Sequence, residues 1–197
     1  MKETNERYWT ERYKEERTGW DIGYVSTPMK NIMDSIEDRS ARILIPGAGN
    51  AYEAEYAWNT GLKNTFVLDI SEVPLQNLKE RCPSFPDEQL IHADLFSFEG
   101  EFDIILEQTF FCSFDPSMRE KYVERMSRIL NDDGRLTGVL FDFPLTDDGP
   151  PFGGSEEEYR ALFGKAFDIV RMERCTDSIP PRMGNELFIE LTPKTIH

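Results

Sequence analysis

The sequence predicts one α/β domain, in which a parallel sheet is covered by helices on both faces and ends in an antiparallel pair of strands. Short apolar segments typical of buried strands alternate with helical segments along the chain. The first apolar segment runs into a glycine-rich turn, and the last two are joined by a loop with no room for a crossover helix. With 197 residues, 39% of them hydrophobic, the chain can form one full core.

The first apolar segment and its turn organise the predicted fold. Residues 41–51 read ARILIPGAGNA, a short strand followed by a turn that contains Gly47 and Gly49. A buried strand that ends in a Gly-x-Gly turn and leads into a helix leaves backbone N–H groups open to a nucleotide-like ligand. A plain strand-to-helix connection has the same pattern, and no third glycine completes a dinucleotide-binding fingerprint. The turn alone therefore does not identify its ligand.

The remaining elements follow in chain order. Further strands are predicted at residues 64–69, 89–94, 102–107 and 135–141, and the antiparallel pair at 167–172 and 186–191. Helices are predicted at residues 28–37, 51–60, 72–81, 116–130 and 156–163, with Gly61 ending the second and a turn at 132–134. A polar segment with embedded aromatics, residues 1–38, precedes the core of the domain at 41–197. Trp9 and Tyr13 share a helix face in this segment, and residues 20–23 are expected to form a loop.

Two acidic residues end predicted strands. Asp69 lies about twenty residues beyond Gly49, the spacing at which a carboxylate after the second strand accepts hydrogen bonds from ribose hydroxyls. The competing interpretation is a cap for the next helix, a role that Ser71 could also fill. Asp94 ends the third strand in the same way. Both carboxylates are therefore candidate ligand contacts.

The composition argues against several classes of partner. The formal net charge of −15 would repel nucleic acid and an anionic membrane surface. No apolar run approaches the length of a membrane span, and the N-terminus is too charged for a secretory signal, so a cytoplasmic protein is expected. The odd number of cysteines and their spacing indicate neither a disulfide framework nor a zinc site, and two histidines, His92 and His197, make a histidine-rich metal centre implausible.

Four motifs, together with the terminal strand pair, resemble the thiopurine, thiol and halide S-methyltransferase family within the class I S-adenosylmethionine-dependent methyltransferases. The motifs are WDIG at residues 20–23 with Pro28, IPGAG at 45–49, FFC at 110–112 with Asp115, Pro116 and Arg119, and GPPF at 149–152. The resemblance covers nearly the whole chain. It implies a three-layer Rossmann-like fold with a seven-stranded, mostly parallel sheet that ends in an antiparallel hairpin. It also implies S-adenosylmethionine as cofactor and methyl transfer to a small soft nucleophile: a thiol, a thiopurine, a related selenium compound or a halide.

The resemblance further implies which residues hold the two reactants. Trp9 and Trp20 would enclose the cofactor, which makes residues 1–38 a lid. The other cofactor contacts would be Gly47 and Gly49 beside the methionine part, Asp69 at the ribose, Asp94 and the Leu95 backbone at the adenine, and Gln108 near the sulfonium. The acceptor pocket would include Phe110, Phe111 and Phe152. Phe152 replaces a tyrosine found in some family members, which weakens the expectation of halide methylation.

The implied reaction is an in-line displacement that needs no general acid, because the sulfonium leaves as a neutral thioether. Alignment of the reactants and exclusion of water would supply most of the catalysis. Neither a thiol nor a thiopurine strictly needs a base. Asp21 or Asp142 could serve as one, with a cap or loop role as the alternative, and Arg182 could hold an anionic acceptor or be a surface residue. Cys112 is expected in the core, since direct transfer needs no covalent enzyme intermediate.

Three other functions remain open at this point. The chain could methylate oxygen or nitrogen of another molecule, bind S-adenosylmethionine without catalysis, or use a nicotinamide cofactor with the same glycine turn and Asp69. The sequence EQTF at residues 107–110 lacks the Asn/Asp-Pro-Pro-Tyr/Phe element expected for methylation of nucleic acid bases. A small-molecule acceptor is the expected partner, and we expect a monomer.

Overall fold

A seven-stranded sheet forms the centre of the computed structural model, which describes residues 4–194. The strand order is β3-β2-β1-β4-β5-β7-β6. The strands are β1 (Ile43–Pro46), β2 (Thr65–Asp69), β3 (Leu90–His92), β4 (Phe102–Gln108), β5 (Leu130–Phe141), β6 (Phe167–Arg174) and β7 (Glu186–Pro193). The first five pair in parallel, and β7 lies antiparallel between β5 and β6. The predicted parallel sheet with an antiparallel end is confirmed.

Six α-helices are present among the described residues. They are α1 (Glu6–Lys14), α2 (Thr27–Asp34), α3 (Tyr52–Asn59), α4 (Glu72–Arg81), α5 (Arg119–Arg128) and α6 (Glu156–Phe163). Short 3-10 turns occur at Asp87–Gln89, Phe111–Ser113, Pro116–Met118 and Pro180–Arg182. None of the helices in residues 4–194 has the length and apolar character needed to cross a membrane. The first residues of the predicted segment 1–38 and the last residues of the predicted core 41–197 lie outside the described residues. These are residues 1–3 and 195–197, and the latter include His197.

The helices cover the sheet on both faces because successive side chains of a buried strand point to opposite sides. Leu44 belongs to the core cluster that includes Tyr122 of α5. Its neighbours Ile43 and Ile45 belong to the other cluster, which includes Met33 of α2. Each of these buried aliphatic side chains contributes about 1.5–3 kcal/mol relative to exposure. This three-layer packing explains why the apolar residues of β1 are continuous and do not alternate with polar ones.

Two predicted boundaries are wrong. The turn predicted at residues 132–134 lies inside β5, which already begins at Leu130 beside Phe102. The next pair joins Ile104 to Arg135, so the polar residues 131–134 form a bulge in a strand and do not precede it. The predicted helix 116–130 divides into the 3-10 turn Pro116–Met118 and α5, which ends at Arg128.

The strand order reverses between β1 and β4, so the loops that follow these two strands diverge to opposite faces of the sheet. A crevice at the carboxyl ends of parallel strands is the usual ligand site in such a sheet. The fold therefore predicts a ligand site between the turn after β1 and the segment after β4.

Candidate functional site

A cavity of about 440 Å³ lies at the carboxyl ends of β1, β2 and β4. This volume is within the range of about 300–1,000 Å³ that is typical of small-molecule and cofactor sites. The cavity wall includes every residue predicted to contact the cofactor, together with three of the other predicted site residues. These are Trp9, Trp20, Gly47, Gly49, Asp69, Asp94, Leu95 and Gln108, with Phe110, Asp21 and Arg182.

The turn between β1 and α3 forms a floor of bare backbone. Its φ angles are in the left-handed region at Gly47 (+57°), Gly49 (+55°) and Ala51 (+54°). A Cβ atom on Gly47 would lie 1.9 Å from the ring of Phe110, and one on Gly49 would lie 3.1 Å from the Tyr13 hydroxyl. Residue 47 must therefore be glycine for two reasons, its φ angle and the contact with the Phe110 ring.

Asp69 stands at the end of β2 with its carboxylate on the cavity wall. One oxygen accepts a hydrogen bond from the Gly49 N–H at 3.0 Å, and the other accepts one from the Ser71 N–H at 2.8 Å. Burial raises the pKa of this carboxyl to about 6, although the backbone hydrogen bonds act in the opposite direction. Each oxygen keeps a further lone pair, so the carboxylate can still accept two hydrogen bonds from a ligand. Ser71 makes no side-chain cap for α4.

Asp94, Leu95 and Gln108 lie on the same cavity wall. Asp94 accepts a hydrogen bond from the Phe96 N–H at 3.0 Å, which fixes the loop after β3, and Leu95 is buried beside it. Gln108 ends β4, and its Oε1 accepts a hydrogen bond from the buried Ser26 hydroxyl at 2.7 Å. The side chain of Gln108 is thus held in one orientation on the cavity wall.

Aromatic side chains from the N-terminal segment cover one side of the cavity. The rings of Trp9 and Trp20 meet edge to face with centroids 5.4 Å apart, and Tyr13 meets Trp20 in the same way at 5.8 Å. No residue of α1 is buried. Few apolar contacts therefore hold α1 against the core, which is typical of segments that open locally.

Polar contacts connect this segment to the core. The hydroxyls of Thr10 and Ser71 share a hydrogen bond of 2.8 Å, and Arg182 Nη2 donates to the Trp20 carbonyl oxygen at 2.9 Å. Thr10 lies in α1 and Trp20 in the loop that follows it, so both parts of the N-terminal segment are joined to the core.

Asp21 holds the N-terminal loop in place. Its Oδ1 accepts a hydrogen bond from the Gly23 N–H at 2.7 Å, and its Oδ2 accepts one from the Asn50 side-chain amide. Asn50 in turn accepts a hydrogen bond from the Asn77 amide of α4 at 2.8 Å. Each carboxylate oxygen accepts a hydrogen bond that holds the loop, which agrees with the loop role.

Phe111 and Phe152 do not reach the cavity, although both were expected in the acceptor pocket. Phe111 is 1% exposed and packs on Tyr122 in the core, with ring centroids 5.0 Å apart. Phe152 turns inward as well, and Pro150 and Pro151 of the same loop lie on the cavity wall instead. Neighbouring residues of a turn point in different directions, and in both cases the large ring is buried in the core.

Asp142 and Cys112 have no evident chemical role. Asp142 lies away from the cavity wall and forms an ion pair with Arg174 at 2.8 Å. Cys112 touches the cavity, but burial raises the pKa of its thiol, so the thiol stays protonated. The remaining alternative for Asp142, a loop role, agrees with this ion pair.

Arg182 presents a cation to the cavity. Its side chain is 10% exposed, and Nη1 lies 3.7 Å from a carboxylate oxygen of Glu186. Nη1 is buried and donates no hydrogen bond to any described residue, so part of the donor capacity of this guanidinium is unused. The surface role that the sequence left open for Arg182 is wrong, because the guanidinium is buried on the cavity wall.

Tyr13, Arg12 and Glu53 also line the cavity, and the sequence did not single them out as site residues. The spacing of four residues from Trp9 could have identified Tyr13. Glu53 gave no signal, because an acidic residue in the first turn of a helix is ordinarily explained by the helix dipole.

The fold and this cavity define a class I, Rossmann-like methyltransferase. A solved structure of the 1,6-didemethyltoxoflavin-N1-methyltransferase of Burkholderia thailandensis, with its substrate and S-adenosylhomocysteine bound, has the same fold, with a TM-score of 0.76 and 21% sequence identity. The match covers 97% of this chain and 87% of that one.

The family follows from the sequence as a whole. The model of the family "Thiopurine S-methyltransferase (TPMT)" matches residues 4–192, so the chain belongs to this family of S-adenosylmethionine-dependent enzymes. It is 26% identical over 192 residues to the probable thiol methyltransferase 2 of Arabidopsis thaliana and 29% identical over 193 residues to the thiocyanate methyltransferase 1 of the same plant. Both matches cover 94% of this chain and 84% of the relative.

Proposed function

We propose that the enzyme transfers a methyl group to the sulfur of a small thiol or thiopurine, and that a related selenium compound, thiocyanate or a halide can take the same place. The observation that carries this proposal is the cavity itself, whose lining combines hydrogen-bonding groups for the donor (the donor wall) with apolar side chains and the guanidinium of Arg182. Phe110 and Phe141 supply apolar surface there, and Arg182 supplies the cation. Relatives named for thiols and thiocyanate agree with such an acceptor.

The residues on the donor wall fit S-adenosylmethionine. Asp69 would accept hydrogen bonds from the two ribose hydroxyls with its remaining lone pairs, and Asp94 with the Leu95 backbone would contact the adenine. The glycine turn at residues 47–49 would lie beside the methionine part, because Gly47 and Gly49 carry no side chain that would keep a ligand from the backbone N–H groups. Trp9 and Trp20 would form the lid over the bound cofactor.

The cofactor supplies an electrophilic methyl group on a positively charged sulfur. The protein would hold the acceptor in line with that group and exclude water, which together account for much of the acceleration in such reactions. Aromatic faces of Trp9, Trp20 and Phe110 would attract the sulfonium by about 0.5–2 kcal/mol each. Arg182 would stabilise an anionic acceptor beside them.

The test combines cofactor binding with a panel of acceptors. Calorimetric titration should show micromolar binding of S-adenosylhomocysteine, and Asp69→Ala should weaken it by more than about tenfold, since a hydrogen bond to a charged group contributes about 1.5–3 kcal/mol. Labelled S-adenosylmethionine should methylate members of a panel of thiols, thiopurines, selenide, thiocyanate and iodide. Unchanged affinity in Asp69→Ala would contradict the assigned donor wall.

The panel also separates the alternatives. Transfer to phenols or amines with no transfer to sulfur would replace the S-methyltransferase by one that acts on oxygen or nitrogen. Tight cofactor binding with no transfer to any acceptor would indicate a binding module. We further propose that the protein acts as a monomer in the cytoplasm, without nucleic acid or membrane partners; gel filtration at micromolar concentration tests the first of these.

A further inference from the structure

Four carboxylates lie on the cavity wall within the described part of the chain: Asp21, Glu53, Asp69 and Asp94. Three of them have a role. Asp69 and Asp94 face the proposed ribose and adenine positions, and both oxygens of Asp21 hold the N-terminal loop. Glu53 remains, a largely buried acid that has no role in the proposed reaction.

Glu53 lines the cavity, and its carboxylate is only weakly held. It lies in the first turn of α3, directly after the glycine turn. Its Oε1 accepts a long hydrogen bond of 3.4 Å from the Ser26 N–H, and its Oε2 accepts none from residues 4–194. The hydroxyl of the same Ser26 donates to Gln108 at the end of β4. The carboxylate is thus placed beside the residue that was predicted to lie near the sulfonium.

The surroundings of Glu53 suit a group that accepts a proton. Burial raises the pKa of its carboxyl, with a smaller increase from Asp21 in the N-terminal loop. The backbone N–H groups of Glu53 and Ser26, and the charge of Arg182 from the loop between β6 and β7, act in the opposite direction. A raised carboxyl pKa approaches that of a thiol, which improves proton transfer near neutral pH. The Arg182 guanidinium would stabilise the thiolate that results.

We propose that Glu53 is the catalytic base for acceptors that arrive as protonated thiols. The proposal rests on the proposed function. The S–H proton passes to Glu53 Oε2, the sulfur electron pair forms the bond to the methyl carbon, and the bond from that carbon to the donor sulfur breaks with its electron pair on the donor. The products are a thioether, S-adenosylhomocysteine and a protonated Glu53, which then loses its proton to water.

Glu53→Gln tests this role with two acceptors of different protonation. 2-Mercaptoethanol is mostly protonated at about pH 7, whereas thiocyanate has no proton to lose. We expect kcat/KM for 2-mercaptoethanol to fall on the order of 10²-fold, as is typical when a general base is removed. The loss with thiocyanate should be at least tenfold smaller. Between about pH 7 and pH 9.5 the loss with the thiol should shrink roughly tenfold, because the thiol then ionises in solution.

Binding of S-adenosylhomocysteine by Glu53→Gln, measured by calorimetry, should match the wild type within about twofold. Glu72→Gln removes the same charge at an exposed position of α4 and controls for net charge. Equal losses with both acceptors, a loss that does not change with pH, or weakened cofactor binding would each overturn the proposal. A wild-type enzyme that methylates neither acceptor nor any other thiol would overturn the proposed function, and the role of Glu53 with it.

Discussion

Asp69 should make cofactor binding depend on pH. The carboxyl has a pKa of about 6 in the cofactor-free protein because it is buried. Ribose hydroxyls would donate to the ionised form and so lower this pKa in the complex. The affinity for S-adenosylhomocysteine should therefore be constant above about pH 7 and fall by up to about tenfold per pH unit below pH 6.

Titration calorimetry between about pH 5 and pH 8 measures this dependence. Asp69→Asn is the matched control, since it keeps the shape of the side chain and cannot ionise. It should bind more weakly than the wild type at neutral pH, with little change between the two ends of the range. The same slope in wild type and variant would show that another group is responsible.

Gly47 should be intolerant of a methyl group. Gly47→Ala places Cβ 1.9 Å from the ring of Phe110 and puts alanine at a φ of +57°. The left-handed conformation costs about 1–2 kcal/mol, and overpacking adds about 1–3 kcal/mol. Chemical denaturation should show a loss of about 2–5 kcal/mol in the free energy of unfolding, together with weaker cofactor binding.

Gly61→Ala separates the two contributions to this loss. Gly61 also has a positive φ, +98°, but no atom lies within 4 Å of its would-be Cβ. This variant should lose only the conformational part. Adding Phe110→Ala to Gly47→Ala should recover part of the overpacking energy, and no recovery would argue against the ring contact as the cause.

Local sequence patterns predicted some residues of the site correctly and others wrongly. Asp69 and Gly47 were predicted because strand ends and left-handed turns have characteristic residues. Phe111 and Phe152 were expected at the acceptor and are buried in the core instead. No local pattern states which of two adjacent aromatic residues in a turn faces a cavity, so Phe110 and Phe111 could be told apart only in the folded chain.

At the scale of elements, the turn after β4 depends on one buried carboxylate. Glu107 accepts hydrogen bonds from the N–H groups of Phe110 and Phe111, each at 2.9 Å, and from the hydroxyl of Tyr122. Thr109, just before the turn, has a φ of +57°, which is unusual for a β-branched residue. The carboxylate therefore holds a strained turn that carries Phe110 to the glycine floor.

Glu107 should make stability fall as the pH rises. Burial raises the pKa of its carboxyl to about 7 in the folded protein, above the ordinary value of 4.5. The contribution of the protonated Glu107 carboxyl to the free energy of unfolding is thus fully present below about pH 4.5 and is lost as the pH rises through 7. Between about pH 5 and pH 8 the wild type should lose about 2–3 kcal/mol of unfolding free energy through this group.

Glu107→Gln isolates this contribution in urea unfolding at several pH values. The amide oxygen of the variant can still accept hydrogen bonds from the two N–H groups, and the amide does not titrate. Between about pH 5 and pH 8, the unfolding free energy of the variant should therefore fall by about 2–3 kcal/mol less than that of the wild type. The pKa of Asp69 is also raised in the folded protein, so Asp69 changes the stability with pH in the same direction. Because Asp69 is present in both proteins, only the difference between their curves of unfolding free energy against pH reports on Glu107. Parallel curves would contradict the role of Glu107.

In the N-terminal segment, the sequence predicted a helix face but not the contacts that this segment makes with the core. Its helical spacing predicted a shared face for Trp9 and Tyr13, and both line the cavity. The hydroxyl contact between Thr10 and Ser71 and the donation from Arg182 to Trp20 join residues that are far apart in sequence. Such contacts follow from the docking of elements and have no signature within either segment.

At the scale of the molecule, the net charge of −15 should affect the capture of anionic acceptors. Long-range repulsion is screened by salt, whereas the attraction of Arg182, whose side chain is only 10% exposed, is screened much less. Raising the ionic strength from about 10 mM to 200 mM should therefore lower KM for thiocyanate severalfold.

A neutral thiol is the matched comparison, and its KM should change less over the same range in an inert salt such as potassium gluconate. A rise in KM for thiocyanate with salt would mean that local attraction, and not the net charge, controls the capture of anions. Steady-state kinetics with both acceptors distinguishes these outcomes.

The sequence by itself determined the order and type of the elements, the glycine turn, the acids at the ends of β2 and β3, and the family, because these depend on local periodicity, backbone conformation and motif spacing. The tertiary structure decided which side chains share the cavity. It brought Glu53 and Arg182, which are more than a hundred residues apart in sequence, to one cavity, and it placed Asp142 outside that cavity in an ion pair with Arg174. These assignments depend on how loops at the carboxyl edge of the sheet pack together, which is a property of the whole chain and not of any segment.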